Sequence, residues 1–127
     1  MAIDHIQIVS IPVTDQDRAR DFYLDVLEWE LITDMDNGDK RWVEIAPRHG
    51  QTSFVLVTWF PEMRPGSMQG IVLATDDIEK AYEQLSERGV EFHAPIEDGP
   101  FSRITSFNDP DGNGLILHEL YERRDRR

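Results

Sequence analysis

Residues Val9 to Leu31 read V-S-I-P-V-T-D-Q-D-R-A-R-D-F-Y-L-D-V-L-E-W-E-L. Alternating apolar and β-branched residues up to Val13 predict a strand, which extends back to Ile3 on the same alternation. Thr14-Asp15 then supplies an N-cap for a helix over about Gln16 to Leu27, with Ala19, Phe22, Tyr23, Val26 and Leu27 on one apolar face. A second stretch, A-T-D-D-I-E-K-A-Y-E-Q-L-S-E-R-G-V-E-F from Ala74 to Phe92, repeats this order. Thr14-Asp15 corresponds to Thr75-Asp76, Leu24 to Leu85, Glu30-Leu31 to Glu91-Phe92 and Asn37-Gly38 to Asp98-Gly99. The same offset carries Phe54-Val55-Leu56 onto Leu115-Ile116-Leu117, so cap, helix, hairpin and strand all shift together, the signature of an internal repeat.

Working outward, strands are expected at about Glu30 to Thr33, Lys40 to Ala46 and Ser53 to Thr58 in the first half. In the second they fall at about Gly70 to Ala74, Glu91 to His93, Ser102 to Phe107 and Leu115 to Leu120, with a helix from Ile78 to Arg88 stopped by Gly89. Phe60 to Ser67, with Pro61, Pro65 and Gly66, breaks both periodicities and reads as a linker. The fold class is therefore α+β: two βαβββ repeats forming curved mixed sheets around a cleft. Repeat one covers about residues 3–59, the linker 60–68, repeat two 69–120 and a basic tail 121–127, all in one domain of 127 residues. A chain of that size buries roughly two-thirds of its unfolded surface. One helix per half leaves a face of each sheet uncovered, so the two halves are expected to share a cleft, the default place for a ligand.

Composition removes several functional classes. The formal net charge is -12, from 25 acids against 13 bases, and a nucleic acid is repelled by such a field. Arg123, Arg124, Arg126 and Arg127 are read as a solvated terminus. Apolar runs such as Phe54 to Val57 are too short to span a bilayer, and no signal-peptide pattern opens the chain. There is no cysteine, hence no disulfide framework. A cytoplasmic location is the expectation, with no membrane or nucleic-acid partner.

With the turn F-N-D-P-D-G-N at Phe107 to Asn113, these two stretches resemble the vicinal oxygen chelate superfamily, which contains glyoxalase I, bleomycin-resistance proteins, fosfomycin-resistance enzymes and extradiol dioxygenases. The resemblance runs from Ile8 to about Glu119. It departs at Glu28-Trp29, where the family usually ends the first helix on a glycine.

The resemblance implies four inward-facing ligand positions for one divalent ion, which in the metal-dependent members acts as a Lewis acid on the substrate's oxygens. Carried onto this sequence they are Ile8, Glu44, Gly70 and Ile116. Three have no donor atom, and one carboxylate does not hold a divalent ion tightly in water. No metal or other cofactor is expected, although a divalent ion could enter through relocated ligands. His118 is two residues beyond Ile116 and shares its strand face. It is either a hydrogen-bonded core histidine or a group that acts on a ligand, with Glu44 and His118 the candidate acid and base. Ser10, Trp42, Phe54, Val72 and Ile116 are the expected ligand-binding wall, with Trp59 and Phe101 at its rim, a lining that suits a flat or amphipathic small molecule. His5 and His49 are read as surface residues, and His93 as a strand end near the cleft mouth. Phe22-Tyr23 is read as core packing, and Asp109 to Gly112 as a β-turn and not a calcium loop. Two functions stay open: a metal-free small-molecule-binding protein of the bleomycin-resistance kind, or a lyase, isomerase or dioxygenase. Either is expected to be a homodimer.

Overall fold

The structure is a computed structural model and describes residues 1–121. The basic tail arginines lie outside the described residues. Two compact units emerge: Met1–Met68 with Asp109–Asn113, and Gln69–Asn108 with the residues from Gly114 onward.

The first unit is a four-stranded mixed sheet in the order β1-β4-β3-β2. Its strands are β1 (Ile8–Pro12), β2 (Glu30–Asp36), β3 (Arg41–Ala46) and β4 (Ser53–Val57). β1 runs parallel to β4 and the other pairs are antiparallel. The strand expected from Ile3 starts only at Ile8, because β4 begins at Ser53 and residues before Ile8 have no strand to pair with. Ile3 and Ile6 are exposed accordingly.

Helix α1 (Gln16–Asp21) is capped as expected, Arg18 N–H donating to Asp15 Oδ1 at 3.1 Å. It does not continue as an α-helix to Leu27. Phe22–Val26 widens into a π-helical turn, closed by Leu27 N–H to Phe22 O at 3.2 Å and followed by Trp29 N–H to Tyr23 O at 2.9 Å. Where the family's glycine would stand, Glu28 takes a left-handed φ of 59°. The turn brings Trp29 against Tyr23 and Phe54, with ring centroids 4.9 and 5.3 Å apart, in a core that also holds Ile11, Val43, Ile45 and Leu56.

Asp109–Asn113 completes this unit. Gly112 N–H donates to Asp109 O at 3.0 Å, the β-turn expected. Asp109 Oδ1 accepts the amides of Asp111 and Asn113, and Oδ2 accepts Tyr23 Oη–H and Asn113 Nδ2–H at 2.8 Å each. Buried Asn113 also donates to Pro12 O at 2.9 Å, and Asp111 Oδ1 accepts the Thr14 amide and hydroxyl. Both oxygens of Asp109 and Asp111 Oδ1 are thus spent on protein donors, whereas buried Asp111 Oδ2 has no partner among the described residues.

The second unit repeats the plan as a sheet in the order β5-β8-β7-β6. Its strands are β5 (Ile71–Ala74), β6 (Glu97–Asp98), β7 (Ser102–Asn108) and β8 (Gly114–Leu120). Helix α2 (Ile78–Glu87) packs Ile78 and Leu85 inward beside Phe107, Leu115 and Leu117. Its N-cap is Asp77, one residue later than the repeat predicts, accepting Lys80 N–H at 3.1 Å. Glu91 to His93 does not form the expected strand. Phe92 makes an isolated bridge to Phe107 and stacks on Tyr82 at 4.1 Å, and the pairing edge strand is β6. The fold is α+β, with two helices and eight strands in two four-stranded mixed sheets consistent with repeated βαβββ units. Among the described residues no helix is long and apolar enough to cross a membrane.

Candidate functional site

Strand register decides which side chains share a face, since paired residues point the same way. In the first unit Ser10 pairs with Val55, and Val55 with Glu44. Ile8 pairs with Ser53, and alternation adds Trp42 to the same face. This face lies opposite to the one that packs on α1, so Ser10, Trp42 and Glu44 come together as expected. Phe54 does not join them. It pairs with Val9 and Ile45 on the helix side and stacks on Trp29. A one-residue difference in register moves a side chain through the sheet, and Ser53 and Val55 occupy the place assigned to it.

The half-buried Glu44 carboxylate is held at both oxygens. Trp42 Nε1–H donates to Oε1 at 3.0 Å and Ser53 Oγ–H to Oε2 at 2.6 Å. Trp42 in turn stacks on Trp59, with centroids 6.2 Å apart and planes at 23°, and Trp59 contacts Phe60 at 6.1 Å. Lys40 Nζ stands 5.9 Å from the Trp59 centroid, within cation–π range. Each carboxylate oxygen keeps lone-pair capacity beyond its one protein donor. The group is therefore a fixed acceptor beside an aromatic tier. Ser53 was missed in the sequence; the signal for it was a lone hydroxyl at the start of the otherwise apolar S-F-V-L-V strand.

In the second unit Val72 pairs with Ile116, Ile116 with Ser106, and His118 with both Ala74 and Ile104. These residues share the face away from α2, as expected for Val72, Ile116 and His118. The face is open: Val72 is 56% exposed and Ile104 38%. Phe101, on the loop before β7, is 68% exposed. His118 is half-buried, and its imidazole has no hydrogen-bond partner among the described residues, which argues against a satisfied core histidine. His93 has one, its Nδ1 lying 2.9 Å from Ser106 Oγ. His5 and His49 are exposed, as read.

The four metal-ligand positions place Ile8 and Glu44 on the face of the first sheet away from α1 and Ile116 on the open face of the second. Gly70 stands just before β5 with φ of 86°. Only Glu44 offers a donor atom, and its oxygens already take protein hydrogens. Among the described residues no three His, Cys, Asp or Glu side chains converge to hold a metal ion.

The profile of the glyoxalase/bleomycin resistance protein/dioxygenase superfamily matches residues 2–117. The chain belongs to this superfamily. The glyoxalase/bleomycin-resistance fold is also that of TnmS3, an antibiotic-binding protein from Streptomyces sp. CB03234. It is 43% identical, with a TM-score of 0.88 over 94% of this chain and 98% of that one. A superfamily member from Sphaerobacter thermophilus DSM 20745 is 38% identical, with a TM-score of 0.85 over 94% and 99% of the two chains. The Bacillus subtilis protein YetH is 31% identical over 92% of this chain and 99% of its own. Membership fixes the fold and leaves the chemistry to the site, because one fold hosts many activities.

Proposed function

We propose that the protein binds a flat or amphipathic small organic molecule, of the antibiotic type, without a metal ion. The observation that carries this reading is the Glu44 carboxylate, pinned by Trp42 and Ser53 beside the Trp42–Trp59 stack. An aromatic plane and a fixed acceptor suit a ring system that bears a hydrogen-bond donor. The side chains at Ile8 and Ile116 replace metal donors with apolar surface, which supports binding over Lewis-acid catalysis. Similarity to an antibiotic-binding protein agrees with the reading.

Tryptophan fluorescence tests it. Trp29 is buried, whereas Trp42 and Trp59 are half-buried at the proposed site, so a flat aromatic antibiotic should quench saturably. Trp42→Ala should weaken binding about tenfold, the worth of one aromatic contact. A panel of flat and aliphatic antibiotics that produces no saturable quenching would defeat the proposal. Elemental analysis after exposure to nickel, cobalt, zinc, manganese and iron tests the second clause: one ion retained per chain, and lost in Glu44→Ala, would contradict the metal-free reading. The exposed apolar side chains of Leu31, Ile32 and Met35 on the edge strand β2 support a homodimer, which sedimentation velocity would test.

A further inference from the structure

The second unit carries an open depression of about 430 Å³ lined by Ala74, Thr75, Asp76, His118, Leu120 and Tyr121. That volume is within the range of small-molecule sites. Its floor is rigid, since Ala74 and His118 are register partners on β5 and β8 and Leu120 follows on the same face. Its wall is held as well: Tyr121 N–H donates to Phe101 O at 3.1 Å, and Tyr121 Oη–H to Asp98 Oδ1 at 3.1 Å.

The sign of the ligand follows from which polar atoms are already engaged. The depression adjoins the start of α2, which could suggest an anion site, but four of the amides there have protein acceptors. Ile78 N–H donates to Glu119 Oε1 at 2.8 Å, Lys80 N–H to Asp77 Oδ1, and Asp77 N–H to Thr75 Oγ1 at 3.1 Å. Thr75 N–H donates to His118 O at 3.0 Å. Among the described residues neither lysine nor arginine lines the cavity. Of the polar side chains that line it, those left without a hydrogen bond among the described residues are the Asp76 carboxylate and the His118 imidazole. Glu79 is paired with Arg103 at 2.9 Å, but Asp77 and Glu119 lie close to Asp76 in sequence or at the same helix start, and their field favours positive charge.

We propose that this depression is a binding site for organic ammonium ions. The ammonium group pairs with Asp76, and the carbon body lies on Leu120, the Tyr121 ring and the His118 edge. Burial of an apolar body beside one free carboxylate selects an amphipathic amine over an inorganic cation, which would gain only one ligand here. The site stands on the second unit alone and does not depend on the Trp42–Glu44 reading.

The test uses the full chain at about pH 8. The ring resonances of His118 and Tyr121 are followed by NMR during titration with benzylamine, benzyl alcohol or benzoate. The expected result is a saturable shift with benzylamine, weaker with the alcohol and absent with benzoate. Asp76→Asn should weaken benzylamine about three- to fivefold, the worth of one exposed ion pair. Asp77 and not Asp76 caps α2, so this variant should fold normally. Ala74→Leu, which fills the floor, should abolish the shift with Asp76 intact. Benzoate binding as well as benzylamine, an unchanged titration in Asp76→Asn, or no saturable shift would each overturn the proposal. Tryptophan fluorescence recorded in parallel reports the first unit, so failure at one site is not mistaken for failure at the other.

Discussion

Replacing Tyr23 by phenylalanine removes one oxygen atom and tests the polar network under the first unit. The Tyr23 hydroxyl is buried and donates to Asp109 Oδ2 at 2.8 Å, in a carboxylate only 4% exposed. Phenylalanine preserves the ring contacts to Phe22 and Trp29, so the cost is that of one buried hydrogen bond to a charged group, about 1.5–3 kcal/mol. The upper figure is not reached, because Asp109 keeps Asn113 Nδ2–H and two backbone amides. With a urea slope of about 2 kcal/mol per molar, about 2 kcal/mol moves the midpoint down by about 1 M. Tyr82→Phe is the control: its ring is stacked on Phe92 and its hydroxyl has no such acid among the described residues, so its midpoint should barely move. Alkali gives a second readout. Burial, then the neighbouring Asp109 charge, push the Tyr23 phenol well above the usual tyrosine range. The unfolded chain therefore releases a proton from about pH 10 upward while the native state keeps it. Stability is whole below that pH and falls above it by about 1.4 kcal/mol per unit for this group, a slope that Tyr23→Phe should lack. An unchanged urea midpoint with an unchanged alkaline slope would refute the network's energetic role.

Glu28→Gly should stabilise the protein by about 0.5–1 kcal/mol, because relief of the left-handed φ outweighs glycine's extra unfolded-state entropy. The bond from Arg48 Nε to Glu28 O survives, so a lowered melting temperature would count against this account. Asp34 is held down to about 2 by hydrogen bonds from Arg41 and then Arg20, and its lowered value gives stability that is present above about pH 4 and lost as pH falls towards 2. After screening at this partly exposed site the contribution is about 1 kcal/mol, and Asp34→Asn should flatten that part of the acid limb in pH-dependent melts. Asp77→Ala should cost about 1 kcal/mol in urea, and Asp76→Ala much less, since only Asp77 accepts the Lys80 amide.

What was legible in the sequence was local. The caps, the Gly89 stop and the Asp109–Asn113 turn are written in residue types that favour a particular backbone, and they recur at one offset, so two βαβββ units followed from the chain alone. The departures come from partners that a local pattern does not contain. Alternation from Ile3 says that residues can form a strand, but β4 starts at Ser53 and ends the pairing at Ile8. Phe54 was placed with Glu44 because aromatics line binding sites, whereas Trp29 and the β3–β4 register draw it to the helix side. Phe92 is held by Tyr82 and Phe107 in the core instead of extending a strand. Trp42 and Glu44 share the face of the first sheet away from α1, and Val72, Ile116 and His118 share that of the second away from α2, because their strands keep strict alternation.

The surroundings of Glu44 show how the chain itself can hold a carboxylate at a family ligand position. A half-buried carboxylate needs donors, since burial of an unpaired charge is costly. Trp42 Nε1–H and Ser53 Oγ–H supply them. Removing Ser53 Oγ by Ser53→Ala should therefore release one oxygen and let the carboxylate rotate, loosening the acceptor without deleting it. A ligand that uses Glu44 as a fixed acceptor would lose affinity in Ser53→Ala and more in Glu44→Gln, because the amide reverses one hydrogen-bonding end. If Ser53→Ala leaves ligand affinity unchanged while Trp42→Ala abolishes it, recognition rests on the aromatic plane alone.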